Sequence, residues 1–242
     1  MTSAREHYDQ LLGPIYTWMV GGIESALERG AAELDAIVEK PSEAKTAVDL
    51  GAGFGMHAIP LARRGFNVLA LDSSAALLDE LRVQSNALPI QRVQDDLLSF
   101  SQYLSEKPDL VLCMGDTLTH LPDHASVMEL IATISAKTKV GGRFVATLRD
   151  YSTALAAEQR FIPVRSDENR ILTCFLEYSE SYVAVNDIVY EREGSHWNMS
   201  VSKYNKLRIS PEWLASSLQE HGFSVNRKPD VSGMVRFVAD RA

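Results

Sequence analysis

Residues 46–55 read TAVDLGAGFG and carry the strongest structural signal in the chain. A short apolar run ends in the acid Asp49, and glycines follow at positions 51, 53 and 55. A run typical of a helix, residues 56–64, starts directly afterwards. A strand, a glycine turn and a helix in this order open a nucleotide-sized ligand site in an α/β sheet, because glycine lets a ligand lie against the main chain.

The spacing of the glycines separates two classes of ligand. A dinucleotide with a pyrophosphate usually requires G-x-G-x-x-G, whereas this turn reads G-x-G-x-G and has Met56 where the third glycine would stand. Asp72 ends the next strand-like run, and a carboxylate there accepts hydrogen bonds from ribose hydroxyls. The pattern therefore favours an adenosine ligand without a pyrophosphate.

The glycine turn together with Asp72 resembles motif I of the class I S-adenosylmethionine (SAM)-dependent methyltransferases. The resemblance implies SAM as the cofactor and an acid after the third strand, best matched by Asp96, that accepts a hydrogen bond from the adenine amino group. The alternative is that Asp95 or Asp96 only caps the following helix. The cofactor positions implied are Asp49, Gly51, Ala52, Gly53, Gly55, Asp72, Ser73, Asp95, Asp96, Leu97, Met114, Gly115 and His120.

The alternation of strand and helix patterns along residues 46–148 predicts an α/β fold with a doubly wound, mostly parallel, seven-stranded sheet of Rossmann-like type. Residues 3–40 read as helices, with breaks at Leu12-Gly13-Pro14 and Gly21-Gly22. Residues 170–178, 181–191 and 196–207 read as a three-stranded antiparallel insertion after strand five. We expect a single domain over 1–242 with four parts: a helical cap (1–40), a cofactor half (41–150), a substrate-side insertion (151–207) and a final helix with a strand pair (208–242).

Composition excludes several classes of partner. The 242 residues carry a net charge of −8, which disfavours a nucleic acid held by its phosphates. No apolar run approaches the length of a membrane span, and no signal-peptide core is evident at the N-terminus. Cys113 and Cys174 are far apart in sequence and read as thiols in a reducing compartment, so we expect a cytoplasmic location.

The segment GDTLTHLPD, residues 115–123, follows the fourth predicted strand. It resembles the G-N-S-x-x-H-L-P-D loop of glycine N-methyltransferases, with Asp116 in place of the family asparagine. A carboxylate would hold a substrate ammonium more strongly than an amide and could take its proton. His120 and His124 lack the H-E-x-x-H pattern, so we expect no metal site.

The RDY segment at 149–151 resembles an R-x-Y element of the same enzymes, whose arginine grips a substrate carboxylate. Independently, a guanidinium binds a carboxylate through two parallel hydrogen bonds. The alternative is a structural ion pair with a neighbouring acid. Asp116 and Arg149 would then form a two-point clamp, and Tyr204 matches a substrate-side tyrosine loosely. The expected catalytic residues are Asp116, Arg149 and Tyr204, and the expected substrate contacts are Tyr16, Trp18, Asp116, Arg149, Tyr151 and Tyr204.

These patterns predict SAM-dependent methyl transfer to a small molecule, an amine or amino acid that bears a carboxylate. Three alternatives stay open: a non-catalytic SAM-binding module, a nicotinamide-dependent oxidoreductase, and methylation of a macromolecule. The missing third glycine disfavours the second, and the acidic charge disfavours the third. A homo-oligomer is possible, and the sequence decides neither the oligomeric state nor the accepting atom.

Overall fold

The computed structural model describes residues 4–39, 41–43, 45–230 and 233–242. Its larger sheet has seven strands in the order β10-β11-β5-β4-β1-β2-β3, and the smaller sheet has the order β6-β7-β8-β9. The strands are β1 (Lys45–Leu50), β2 (Phe66–Asp72), β3 (Ile90–Gln94), β4 (Leu110–Cys113), β5 (Arg143–Arg149), β6 (Phe161–Ser166), β7 (Arg170–Tyr178), β8 (Tyr182–Glu193), β9 (His196–Leu207), β10 (Phe223–Pro229) and β11 (Met234–Arg241). We call the larger sheet A and the smaller one sheet B.

The helices alternate with the strands of sheet A. They are α1 (Ala4–His7), α2 (Gly13–Met19), α3 (Ile23–Asp35), α4 (Ala58–Arg63), α5 (Ala75–Ser85), α6 (His124–Lys137) and α7 (Pro211–Glu220). Shorter turns of 3₁₀-helix cover Leu97–Tyr103, Thr117–His120 and Ala157–Arg160. Strands β1 to β5 pair in parallel, and β11 joins β5 in antiparallel orientation. The prediction of a doubly wound, mostly parallel, seven-stranded sheet is confirmed.

Both faces of sheet A are buried, as a parallel sheet between two helical layers requires. On one face Leu50 and Phe144 belong to the hydrophobic cluster that α6 and α7 cover. On the other face Ala47 and Val145 belong to the cluster that α3, α4 and α5 cover. Neighbouring residues of one strand thus point into different layers, and the strand ends alone are left for a ligand.

Sheet B has four strands, so the prediction of a three-stranded insertion is wrong in number. The missed strand is β6, which pairs with β7. Most of its side chains are exposed, and its register shifts between Pro163 and Arg165. A strand with neither alternating burial nor a continuous apolar run gives no period-two signal.

The N-terminal segment passes Pro14 without the predicted break. Tyr8–Leu12 forms one turn of π-helix, in which the Gly13 N–H bonds to the carbonyl of Tyr8, and α2 follows directly. Pro14 lies in the first turn of α2, and the change from π-helix to α-helix at Gly13 accommodates its missing N–H. The predicted break at Gly21-Gly22 is confirmed, because both residues have positive φ, 99° and 93°.

Candidate active site

The glycine turn after β1 has the backbone that its sequence predicted. Gly51, Gly53 and Gly55 have φ values of 75°, 51° and 95°. A Cβ on Gly51 would lie 2.6 Å from Thr117, and one on Gly55 would lie 2.3 Å from Leu81. The nearest heavy atom to a Cβ on Gly53 is Leu77 Cδ1 at 3.8 Å, an ordinary van der Waals contact, so this position is not crowded. The outer two glycines are required by packing, and the middle one leaves room for a ligand. Ala52 between them is buried.

Two carboxylates flank this turn. Asp72 accepts hydrogen bonds from the Gly53 N–H at 2.7 Å and from the Ser74 N–H at 2.8 Å. Asp49 at the end of β1 is 2% exposed, and its Oδ2 has no hydrogen-bond partner among the described residues. Burial raises the pKa of Asp49 to about 6 and also raises the pKa of Asp72. A buried carboxylate oxygen without a partner is costly, so it favours a ligand with donors or positive charge.

The residues after β3 act as helix caps. Asp96 accepts a hydrogen bond from the Leu98 N–H at 2.9 Å, which is the capping alternative. Asp95 accepts from the Tyr103 hydroxyl at 2.6 Å, and this bond lowers the pKa of Asp95. Leu97 is half-buried against the core. The carbonyl of Ser73, at the start of the neighbouring turn, accepts from the side chain of Gln94 at 3.2 Å. An adenine contact at this position stays a prediction.

The loop after β4 turns Asp116 inward. Met114 is buried, and Gly115 and Asp116 both have left-handed backbone, with φ of 74° and 73°. Thr147 of β5 fixes this turn, since its hydroxyl accepts from the Gly115 N–H at 2.7 Å and its carbonyl accepts from the Asp116 N–H at 2.9 Å. Asp tolerates this backbone region better than most residues with a Cβ. The Asp116 carboxylate is therefore held below the surface, at 2% exposure.

The Asp116 carboxylate already accepts hydrogen bonds from three donors of the protein itself. Lys206 of β9 donates to Oδ2 at 2.5 Å, Tyr151 donates to the same oxygen at 3.1 Å, and the backbone N–H of Arg149 donates to Oδ1 at 2.9 Å. Burial opposes the charge of Lys206, but its neighbours, Asp116 foremost, outweigh this and raise the pKa of Lys206 well above its usual value. The contact between Asp116 and a substrate ammonium therefore stays a prediction, at a carboxylate that three protein donors already reach.

The sequence reasoning missed Lys206, although a signal for it existed. Strand residues alternate between the two faces of a sheet, so positions 202, 204 and 206 of β9 share one face. Tyr204 had been singled out, and Lys206 stands two residues beyond it. A lysine on the same face of a strand as a buried tyrosine predicts that the lysine charge also lies in the interior.

Tyr204 stands in a stack of rings. His7 of α1 lies 4.2 Å from it, between centroids, and His120 lies 5.6 Å away on a nearly parallel plane. Tyr8 meets the edge of His120 at 5.7 Å. Tyr16 lies against Tyr8 and against Phe54 of the glycine turn, at 5.8 and 6.0 Å. The N-terminal segment thus joins the glycine turn to sheet B through aromatic contacts.

His120 is kept uncharged in this stack. Burial, and then the charge of Lys206, lower the pKa of His120 to about 3. Its Nδ1 is buried and has no hydrogen-bond partner among the described side chains and backbone. A neutral imidazole whose ring nitrogen has no partner among the described residues is suited to a hydrogen bond with a ligand.

The other expected substrate residues, Trp18, Arg149 and Tyr151, are not members of this stack of rings. Trp18 donates to Asp167 at 2.5 Å, and Arg170 lies over its ring at 5.0 Å, so it braces α2 against the β6–β7 turn. A substrate contact of Trp18 stays a prediction. The side chain of Arg149 is exposed at the end of β5, next to the Asp116 loop. Tyr151 is buried and faces Asp116 rather than solvent.

Comparison with known proteins gives the family. Residues 47–142 match the model of a methyltransferase domain. A glycine/sarcosine N-methyltransferase of Aphanothece halophytica is 28% identical over 120 residues, which cover 48% of this chain and 44% of that protein. A ubiquinone biosynthesis O-methyltransferase of Aeromonas salmonicida is 30% identical over 136 residues, 54% of this chain and 55% of that protein. Residues 47–142 thus match a methyltransferase domain, and these relatives support the assignment of the chain to the class I SAM-dependent methyltransferases.

Solved structures of this family share the fold. The SAM-bound amino pentose methyltransferase CalS10 of Micromonospora echinaspora aligns with a TM-score of 0.78 at 19% identity, covering 96% of this chain and 97% of CalS10. A SAM-dependent methyltransferase of Clostridium acetobutylicum aligns with a TM-score of 0.71 at 16% identity, covering 97% and 96%. At these identities the likeness establishes the fold alone. The curated relatives named above are matched over about half of their length.

The residues of the turn fit the cofactor of this family, SAM. The uncrowded backbone at Gly53, the carboxylate of Asp72 and the Asp49 oxygen without a partner among the described residues suit a ligand with ribose hydroxyls and positive charge. Two cavities of about 440 and 460 Å³ lie instead at the amino ends of the parallel strands, beside Asn67 and Lys45. In open α/β sheets ligands bind outside the carboxyl ends, so these cavities are not the active site.

Two further features of the described residues bear on ligands and location. Within residues 4–39, 41–43, 45–230 and 233–242, His, Cys, Asp and Glu side chains form no group of three that could hold a metal ion. In the same ranges, none of the helices has the length and apolar character needed to cross a membrane.

Proposed function

We propose that this chain transfers the methyl group of SAM to a small molecule, an amine or amino acid that bears a carboxylate. The observation that carries the proposal is the meeting of three features at the carboxyl ends of β1, β4 and β5. These are the uncrowded glycine turn at Gly53, the buried aromatic stack around Tyr204, and Arg149, which is exposed at the end of β5. The matches to an N-methyltransferase and an O-methyltransferase support methyl transfer and leave the accepting atom open.

In the proposed mechanism the chain aligns two reactants and forms no covalent bond with either. SAM supplies the activated methyl group when it is bound. Asp72 accepts the ribose hydroxyls, and the faces of Tyr8, Tyr16 and Tyr204 stabilise positive charge near the transferred methyl group. Arg149 binds the carboxylate of the acceptor through its two-pronged guanidinium. Alignment of bound reactants can contribute up to about 7–11 kcal/mol to such a reaction.

Several expectations accompany this proposal. We expect a cytoplasmic location and no nucleic-acid or membrane partner, and a homo-oligomer is compatible with the chain. A SAM-binding module without turnover is the remaining alternative, and it predicts cofactor binding with no methyl transfer to any metabolite. The turn argues against a nicotinamide dinucleotide, because Met56 stands in place of the third glycine.

Cofactor binding is tested by calorimetry with SAM and with S-adenosylhomocysteine (SAH), its demethylated product. Asp72→Ala removes the ribose acceptor, and we expect a loss of about 10- to 100-fold in affinity, the range for hydrogen bonds to a charged group. Asp79→Ala is the matched control, since Asp79 lies exposed on the following helix. Wild-type protein that binds neither molecule contradicts the proposal.

The role of Arg149 is tested once an acceptor is found by screening amines and amino acids for SAH formation. Arg149→Ala should raise the KM for the acceptor at least about tenfold, the cost of losing a charged bidentate contact, while SAM affinity stays close to wild type. Arg149→Lys should not restore activity, because a point charge lacks the fork geometry. Arg82→Ala on the exposed face of α5 is the control. An unchanged KM would show that Arg149 is structural.

A further inference from the structure

Lys206 carries a buried positive charge into the acceptor side of the site. Its side chain is 12% exposed and that of Asp116 is 3% exposed, so the pair lies almost wholly below the surface. Tyr151 and the Arg149 N–H also donate to Asp116. A carboxylate has about four lone-pair positions, and three donors already use most of them.

The groups that act most strongly on Lys206 after Asp116 are tyrosines, and they add no negative charge. Burial raises the pKa values of Tyr8, Tyr151, Tyr204 and Cys174 and keeps these groups protonated. His120 stays neutral as well. Among the groups that act most strongly on Lys206, Asp116 is the anionic one, and it is balanced by Lys206 itself. The buried carboxylate of Asp187, which also lies near Tyr204, is hydrogen-bonded by His7 and Cys174.

The acceptor side therefore has no excess negative charge for an ammonium ion. The charges of Asp116 and Lys206 cancel each other. The bound cofactor contributes a positive sulfonium. Like charges brought together in a poorly solvated site repel strongly. An ammonium would meet this repulsion, whereas a neutral amine or hydroxyl would not.

We infer that Lys206 is a specificity-determining residue: it occupies the cation-binding position on Asp116, so that the acceptor enters as a neutral nucleophile and not as an ammonium ion. The inference rests on the proposed function, since it concerns the same site. An amine acceptor loses its proton to solvent before it binds. Its lone pair then forms the new N–C bond, the S–C bond breaks with its electron pair left on sulfur, and the product leaves as the charged amine.

The charge preference is tested directly with two probes of nearly equal shape. Choline is cationic, and 3,3-dimethylbutan-1-ol is its neutral carbon analogue. Both are titrated into SAH-saturated protein and followed by ligand-observed NMR. Wild type should bind the neutral probe at least as tightly as choline, and Lys206→Met should bind choline at least about fivefold more tightly than wild type does, because Asp116 is then uncompensated.

A double variant separates charge from shape. Lys206→Met with Asp116→Asn keeps the lysine truncation but removes the carboxylate, so the gain in choline binding should disappear. If Lys206→Met does not fold, the inference can still be tested with wild type and with the double variant, which leaves no unpaired charge. Neither of these two proteins should prefer choline over the neutral probe. Choline bound more tightly than the neutral probe by wild type, or no gain in a folded Lys206→Met, overturns it.

Calorimetry with SAH on the same preparations reports on the proposed function separately. A chain that binds SAH but prefers choline overturns the role of Lys206 and leaves the proposed function intact. A wild-type chain that binds no SAH overturns both.

Discussion

At the scale of single residues, Asp49 shows how a ligand site is set up at a cost in stability. Its pKa rises from 3.8 to about 6 because burial disfavours the charged form. Between these values the folded state holds a proton that the unfolded state has lost, so stability falls as pH rises from about 4 to 6. The penalty is complete above pH 6 and absent below pH 4. The buried charge is therefore a feature of the neutral-pH protein that ligand binding can relieve.

Asp49→Asn should for this reason stabilise the ligand-free protein at pH 7.5, by up to about 3 kcal/mol from the size of the pKa shift. At pH 4 the gain should largely vanish. The measurement is urea unfolding at both pH values, with Asp79→Asn as the exposed control. SAH affinity should fall in the same variant. A loss of stability at pH 7.5, or an equal gain at both pH values, would contradict this account of the buried carboxylate.

The sequence indicated the ligand class from residues that lie close together along the chain. The turn at 51–55 and Asp72 are separated by one helix, and their spacing alone indicated the ligand class. The pairs Lys206–Asp116 and His7–Asp187 are separated by 90 and 180 positions. No local pattern links such partners, so the neutralisation of Asp116 and the burial of His7 emerge only when sheet B is folded against sheet A.

At the scale of elements, the N-terminal segment is held by one buried histidine. His7 is 0% exposed, and its ring nitrogens bond to Ser202 at 2.8 Å and to Asp187 at 2.9 Å. Cys174 donates to the other oxygen of Asp187 at 2.6 Å. These partners all lie on the inner face of sheet B, which fixes α1 and the π-turn above Tyr204. The sequence indicated helices here but could not show what they cover.

His7→Phe should loosen this segment, because it keeps the stack on Tyr204 but leaves Asp187 and Ser202 without their partner. Each unsatisfied buried group costs about 1–3 kcal/mol. Hydrogen exchange should therefore speed up across residues 4–19 more than in α6, and SAH affinity should fall. The control is His196→Phe, an exposed histidine on β9. Equal protection of residues 4–19 in variant and wild type would show that the aromatic contacts alone hold the segment.

Sheet B also shows which strands a sequence pattern can predict and which it cannot. The strands β8 and β9 were predicted within a few residues, since β8 in particular alternates buried and less buried residues over most of its length. β6 was not predicted because it is exposed along most of its length and its register with β7 is irregular at Pro163. Its place is set by pairing with β7, which supplies backbone hydrogen bonds to any extended chain that reaches it. Long-range pairing therefore overrides a weak local pattern.

At the scale of the whole molecule, Arg208 joins the two sheets. Its guanidinium donates to the carbonyls of Tyr151 and Ser152, where the chain leaves sheet A, at 2.9 and 2.8 Å. It also donates to the carbonyls of Ser179 and Glu180 in the β7–β8 turn, at 2.6 and 3.3 Å. One planar fork thus ties together the exit from sheet A and a turn of sheet B, and the site around Asp116 lies between the two sheets.

Arg208→Lys should weaken this coupling, because a point charge cannot reach four carbonyl groups at once. We expect a loss of about 2 kcal/mol, which for a chain of this size lowers the unfolding temperature by roughly 4–8 °C. Sheet B should also loosen before sheet A. In a background where Trp18 and Trp213 are replaced by Phe, the fluorescence of Trp197 in β9 should therefore change at lower urea than the far-UV circular dichroism does. Arg82→Lys on exposed α5 is the control. If both signals still change together at the wild-type midpoint, the sheets are coupled by the Lys206–Asp116 pair and the aromatic stack, and not by Arg208.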